Sequence, residues 1–260
     1  MIALNKYVKC LNSFPNFLSE NIVVDFQDKN DAQLEYIKNV FCLEKHLSNK
    51  SSLDNVCSLM TFVHHELFSL GDNIRPLKMN TFSIMEIKQK GSVFCSCYAT
   101  VLSEMLLSVG ILAVRISCFP MEFDCDCHVG VMVYLEDLNK WAFFDPTFNT
   151  YFYDNDKPID IFEIRELYKN DKPVTFKHIE INKQWQLFMN GEEYSTYDDW
   201  YNAYMQKNCF RFLVPQKSQY GYLSNDPKYY FMNPVGYHTK NEYDELTDKI
   251  EYINGSNFLV

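Results

Sequence analysis

Glycine is scarce, at eight of 260 residues, and no stretch repeats itself, is low in complexity or carries the Pro, Gly and Ser content of a flexible linker. The C-terminal part is therefore expected to pack directly on the centre, and the apolar content excludes the disordered class. Long apolar runs are missing as well. No segment approaches 18 consecutive apolar residues, and Met1 to Cys10 has neither the unbroken apolar stretch nor the small-residue cleavage site of a secretory leader, so no membrane association is expected. Basic charge is in deficit: 24 Lys and Arg against 34 Asp and Glu leave a net charge of -10 and a pI near 5.1, which argues against nucleic acid as a partner. The paired C-x-x-C spacing of structural zinc is absent, and His65-Glu66 lacks a second His four positions after the first because Ser69 stands there. No metal and no cofactor is expected.

What is present is apolar surface. Apolar residues make up 47% and aromatics 16%, enough for an extensive core in one large domain or two small ones. Nine Cys is an odd number in a chain too large to need staples, which fits reduced thiols and a cytoplasmic location. The expected organisation is an N-terminal helical part over 1–90, a core over 91–155 and an aromatic-rich part over 156–260, packed as one unit.

Asn30 with Gln33, followed by Tyr36, Ile37, Val40, Phe41 and Leu47, predicts an amphipathic helix over 30–49. A second, Ser52 to Leu70, carries Leu53, Val56, Met60, Val63, Leu67 and Leu70 on one stripe, with His64-His65 as a partly exposed pair. A short helix over 81–90 ends at Gly91, and Cys95 to Val109 reads as a buried helix stopped by Gly110. The period then changes to that of strands at 112–118, 128–135 and 140–145, a meander with a turn at 136–139. Helices at 160–169 and 196–207 and a strand at 209–214 follow. The 13 aromatics in 194–237 are expected to pack on the central hairpin and line the approach to a site.

Amide chemistry with a thiol needs a thiolate, a His that stabilises it and moves protons, and a group that fixes the imidazole tautomer. Cys95 stands at the first turn of the buried helix, where the positive end and free N–H groups favour a thiolate and bind an oxyanion. Cys97, about 200° further round the helix at 100° per residue, reads as structural. Pairing the strands around 136–139 sets Tyr134 opposite Trp141, Met132 opposite Phe143 and Gly130 opposite Asp145. His128 and Asp145 then share a face, diagonally across the ladder.

Three ordered motifs between Gly91 and Asn149 resemble the transglutaminase-like superfamily of papain-like cysteine enzymes. Cys95-Ser96-Cys97-Tyr98-Ala99, followed by Gly110-Ile111-Leu112-Ala113-Val114-Arg115, is similar to its nucleophile helix and the strand after it. His128-Val129 leads into a strand, and Trp141 through Asp145-Pro146-Thr147 is similar to its Trp-x-x-x-Asp-Pro-Thr. The resemblance implies an α+β fold with the nucleophile helix packed on an antiparallel sheet and N-terminal helices beside it. It implies Cys95 as nucleophile, His128 as general base and acid, and Asp145 as the orienting carboxylate. Gln89, six residues upstream, is a candidate oxyanion donor by similarity to papain-type proteases.

In the loop before His128, Glu122, Asp124 and Asp126 would favour the imidazolium, while Cys125, Cys127 and His128 with Cys97 lack zinc spacing. The expected function is cysteine-dependent hydrolysis of a peptide or small amide through a thioester, with acyl transfer to an amine open. Alternatives are an arylamine N-acetyltransferase-like protein and a non-catalytic binding module that keeps the fold. The sequence leaves the oligomeric state open.

Overall fold

The computed structural model describes residues 2–48, 51–69, 72–122, 127–180, 196–237 and 248–259. The chain opens with α1 (Ile2–Ser13), β1 (Leu18–Ile22), β2 (Asp25–Phe26), α2 (Ala32–Val40) and a 3-10 turn (Leu43–His46). Next come α3 (Ser52–Leu67), β3 (Asn73–Ile74), α4 (Thr81–Ile87), β4 (Ser92–Val93) and α5 (Cys95–Ser108). Strands β5 (Ala113–Phe119), β6 (His128–Leu135), β7 (Lys140–Asp145), β8 (Thr150–Asp154) and β9 (Lys157–Pro158) precede α6 (Ile161–Lys169) and β10 (Thr175–His178). The remainder is α7 (Tyr197–Asn208), β11 (Arg211–Pro215), β12 (Lys217–Ser218), β13 (Tyr229–Met232), β14 (Ile250–Ile253) and β15 (Gly255–Phe258). Helix and sheet are mixed, and among the described residues no helix is long and apolar enough to cross a membrane.

The period-two alternation of the central strands sorts their side chains into two layers. Ala113, Val131, Val133, Ala142 and Phe144 face a core built with α2, α3 and α5. Val114, Ile116, Met132, Trp141 and Phe143 face the opposite core, built with α1, α6 and α7. Both faces are therefore covered, which is why HVGVMVYL at 128–135 is nearly all apolar rather than alternating. The central sheet runs β10-β8-β7-β6-β5-β11-β13-β14, with β9 on β8, and β13–β14 is its one parallel pair among the described residues. The meander expected at 112–145 is thus the middle of a nine-stranded sheet, extended on one side by C-terminal strands.

The β6–β7 register is the one the turn predicts: Tyr134 pairs with Trp141 and Met132 with Phe143, closed by a 3-10 turn and by Asn139 at a φ of 50°. Gly130 is required here, since a Cβ would stand 2.4 Å from the Phe143 ring. Helix α5 stops as its sequence demands. Gly110 takes a φ of +82°, its N–H donates to the Leu107 carbonyl, and the Ile111 N–H donates to Leu106.

Two expectations fail locally. The helix over 30–49 ends at Val40, because Cys42 turns left-handed (φ 50°) and directs Leu43, fully buried, into the core. His64 is not part of an exposed pair: it is 1% exposed, while His65 remains open to solvent beside Glu180.

Glu104, on α5, is buried and accepts hydrogen bonds from the N–H and hydroxyl of Thr81 and from the Gly221 N–H. It ties α4 and the 219–224 turn to α5. Burial pushes its carboxyl up to about 7, partly offset by those three donors. The folded pKa lies above the ordinary value of 4.5, so the contribution is full below pH 4.5 and is lost as pH rises through about 7. We expect Glu104→Ala to cost about 2–4 kcal/mol by leaving the Thr81 and Gly221 donors unpaired. Denaturant titrations of both proteins from pH 4 to 8 check it: the wild-type advantage should shrink as pH rises.

Candidate active site

The segment leading into Cys95 is held by parallel pairing of β4 with β3, where Gly91 is needed because a Cβ would meet the Asp72 carbonyl at 2.7 Å. Phe94 is the N-cap of α5 and supplies no capping side chain, while Arg75 stacks over its ring at 5.5 Å. The first turn of α5 thus presents N–H groups at its positive end with no side chain capping them. Cys95 is partly exposed there, and Cys97 is buried.

His128 begins β6 and Asp145 ends β7, on the face covered by α7. The His128 Nε2 donates to Asp145 Oδ2 at 2.7 Å, and both side chains are buried. Cys95 comes from the opposite layer and lies within electrostatic reach of the imidazole at the end of β6, while the one side-chain hydrogen bond described for His128 is that to Asp145. With Nε2 bonded to Asp145, Nδ1 is the other ring nitrogen. Burial alone would lower the His128 pKa, but the charge and hydrogen bond of Asp145, together with Cys95, outweigh it and hold the imidazole up at about 10.

Asp145 is itself anchored by four donors. Besides His128, the Tyr201 hydroxyl donates to Oδ2 at 2.8 Å, and the Thr147 and Phe148 N–H groups donate to Oδ1 at 3.1 and 3.3 Å. Pro146 between them is held by His64, whose Nδ1 lies 3.2 Å from the Pro146 carbonyl. Burial lowers the His64 pKa, so this ring is neutral and donates. Asn149, at a φ of 49°, accepts from the Thr61 hydroxyl of α3 at 3.2 Å.

Helix α7 closes the other side. The Tyr204 ring meets the His128 ring edge-on at 5.4 Å and its hydroxyl donates to the Cys127 carbonyl at 3.2 Å, while Phe148 lies 5.6 Å from His128. Tyr201, Tyr204 and His64 were not singled out as site residues from the sequence. The signal for the two tyrosines was their three-residue spacing on a predicted helix; nothing in the sequence paired His64 with Pro146.

Gln89 lies exposed in the turn after α4, and none of the described hydrogen bonds joins it to Cys95, His128 or Asp145. Glu122 is exposed, while Asp124, Cys125 and Asp126 lie outside the described residues. A separate cavity of about 600 Å³ runs along α3, lined by Asp54, Cys57, Thr61 and His65 among others, and holds none of the three grouped residues.

No family model matches the chain, and no curated protein matches it. Among solved structures, 46% of the chain superposes on a candidate cysteine protease from Cytophaga hutchinsonii at 13% identity with a TM-score of 0.35, covering 40% of that protein. Red sea bream transglutaminase superposes on 56% of the chain at 14% identity with a TM-score of 0.30, covering 31% of that protein. The chain spans less than half the length of either.

Because the folded pKa of His128 is raised, the stability gained from its charged form is full below the ordinary value of 6.5 and lost as pH rises through about 10. Asp145→Asn removes the largest support for that charge. Its ring-proton NMR titration should show the His128 midpoint falling by at least about 1 unit, the scale of a lost neighbouring charge. Tyr201→Phe should cost about 1–2 kcal/mol of stability, read by denaturant titration, by removing one donor from a buried carboxylate.

Proposed function

We propose that this chain is a cysteine-dependent amide hydrolase with a transglutaminase-like core, using Cys95 as nucleophile, His128 as general base and acid, and Asp145 as the orienting carboxylate. The observation that supports it most is the buried Asp145–His128 pair with a partly exposed thiol, at an uncapped helix start, within electrostatic reach of the imidazole.

The chemistry follows from that geometry. Held charged, His128 stabilises a Cys95 thiolate. The thiolate adds to the amide carbonyl of a peptide or small amide, and the negative charge that develops on oxygen is met by N–H groups of the α5 start. The Cys95 N–H is the first donor, and Gln89 is proposed as the second. The imidazolium passes its proton to the departing amine as the C–N bond breaks, leaving a thioester on Cys95. Neutral His128 then takes a proton from water, which attacks the thioester and releases the acid and the thiolate. An amine in place of water would turn the same intermediate to transfer. Asp145 fixes the proton-bearing nitrogen as Nε2 throughout, which leaves Nδ1 to exchange the proton with sulfur, amine and water.

Competition among the thiols tests the assignment. At pH 6 an ordinary thiol with a pKa near 8.5 is almost wholly protonated, so Cys95 should alkylate at least about tenfold faster than the other eight. Partial labelling with iodoacetamide and peptide mass spectrometry reads the rates. Uniform labelling, or preference for Cys125 or Cys127, removes Cys95 from the role. In His128→Ala the advantage of Cys95 should disappear.

A further inference from the structure

Arg115 is the one residue of β5 that is not buried, although it belongs to an interior strand and, by parity with Ala113, to the face that α5 covers. Its access to solvent marks an opening in that layer. Tyr229, Cys95, Cys97 and Cys127 lie within its electrostatic reach, so that opening is on the side of the sheet that carries the partly exposed Cys95.

The other arginines of the chain have evident occupations. Arg165 donates to the carbonyls of Pro15, Phe14 and Leu11, Arg211 donates to Pro120 and stacks on Phe231, and Arg75 stacks on Phe94. No described residue accepts a hydrogen bond from Arg115 or forms an ion pair with it. The groups within its electrostatic reach are a phenol and thiols, and burial keeps one of these, Cys97, protonated by pushing it up to about 11. A half-buried guanidinium with five donors and no anion paired with it among the described residues is costly unless a ligand supplies one.

We infer that Arg115 is a substrate-binding residue that pairs with a carboxylate next to the scissile amide, so that the preferred substrates are acidic amides, such as a peptide bond beside an Asp or Glu side chain or a terminal carboxylate. This rests on the reading of Cys95 as nucleophile. A single planar guanidinium matches one carboxylate through two parallel N–H···O bonds. The overall charge of -10 makes one such cation in a cleft a discriminating feature rather than part of a general anion-binding surface.

The test compares two alkylating reagents that differ in carboxylate against amide. Rates of Cys95 alkylation by iodoacetate and by iodoacetamide are measured at pH 6 in the full-length wild type, Arg115→Lys and Arg115→Gln, by peptide mass spectrometry. The charge of His128 is common to all three and cancels from the comparison. The iodoacetate-to-iodoacetamide ratio should fall by about tenfold or more in Arg115→Gln, the scale of one charge-assisted hydrogen bond, and by less in Arg115→Lys. An unchanged ratio in Arg115→Gln overturns the inference.

Should that variant fail to fold, the wild type alone decides. N-acetylaspartate should slow iodoacetamide alkylation of Cys95 and N-acetylasparagine at equal concentration should not; equal protection by both, or none, overturns it. If Cys95 does not react ahead of the other thiols with neutral iodoacetamide, the nucleophile assignment fails instead.

Discussion

The buried carboxylate of Asp145 is the constraint on which the rest of the site depends. A charge removed from water costs several kcal/mol unless donors surround it. Here four do, and they come from three parts of the chain: the turn after β7, the start of β6 and the middle of α7. Satisfying that carboxylate therefore sets the path of the 145–148 turn, the docking of α7 and the orientation of His128 together. The charge it places beside the imidazole reverses what burial would do to a histidine. A residue that would otherwise be neutral in this interior stays protonated to about pH 10.

The two layers of the fold contribute unequally to this arrangement. From the α7 layer come the carboxylate, the imidazole and the aromatic rings packed on them; from the α5 layer come the thiol, the helix start and Arg115. They meet at the end of β6, because His128 is the first residue of its strand and Cys95 the first of its helix. Both elements are held rigidly behind these positions, β6 between two antiparallel neighbours and α5 by a fully buried body with Glu104 anchoring its middle. Reactive groups on element ends backed by such support keep their geometry without loops to position them.

Much of this was legible in the sequence because it rests on local rules. The turn at 136–139 and period-two alternation were enough to bring His128 and Asp145 onto one face, and Gly110 with the apolar run before it marked the end of α5. What was not legible depends on contacts distant in sequence. His64 looked like a surface residue because its partner, the Pro146 carbonyl, lies 82 positions away. Tyr201 belonged to an aromatic-rich helix whose density announced packing but not the carboxylate it would meet. The helix expected over 30–49 was cut short by the demand that Leu43 be buried, which overrode a pattern of helical spacing. Of the C-terminal strands only β11 was read from the sequence, and without its partners, since strand pairing across a hundred residues leaves no trace in local periodicity; β13 and β14 were not read as strands.

The central claim is that Cys95 forms a thioester with the acyl part of an amide while His128 moves the proton. The most direct measurement is the intact mass of the protein quenched in acid during turnover of a peptide-amide library, followed by mapping of the adduct. The account predicts an added acyl mass on Cys95 alone, removable by hydroxylamine and absent in Cys95→Ser and His128→Ala. An adduct on another residue, or amide cleavage undiminished in Cys95→Ser, would contradict it.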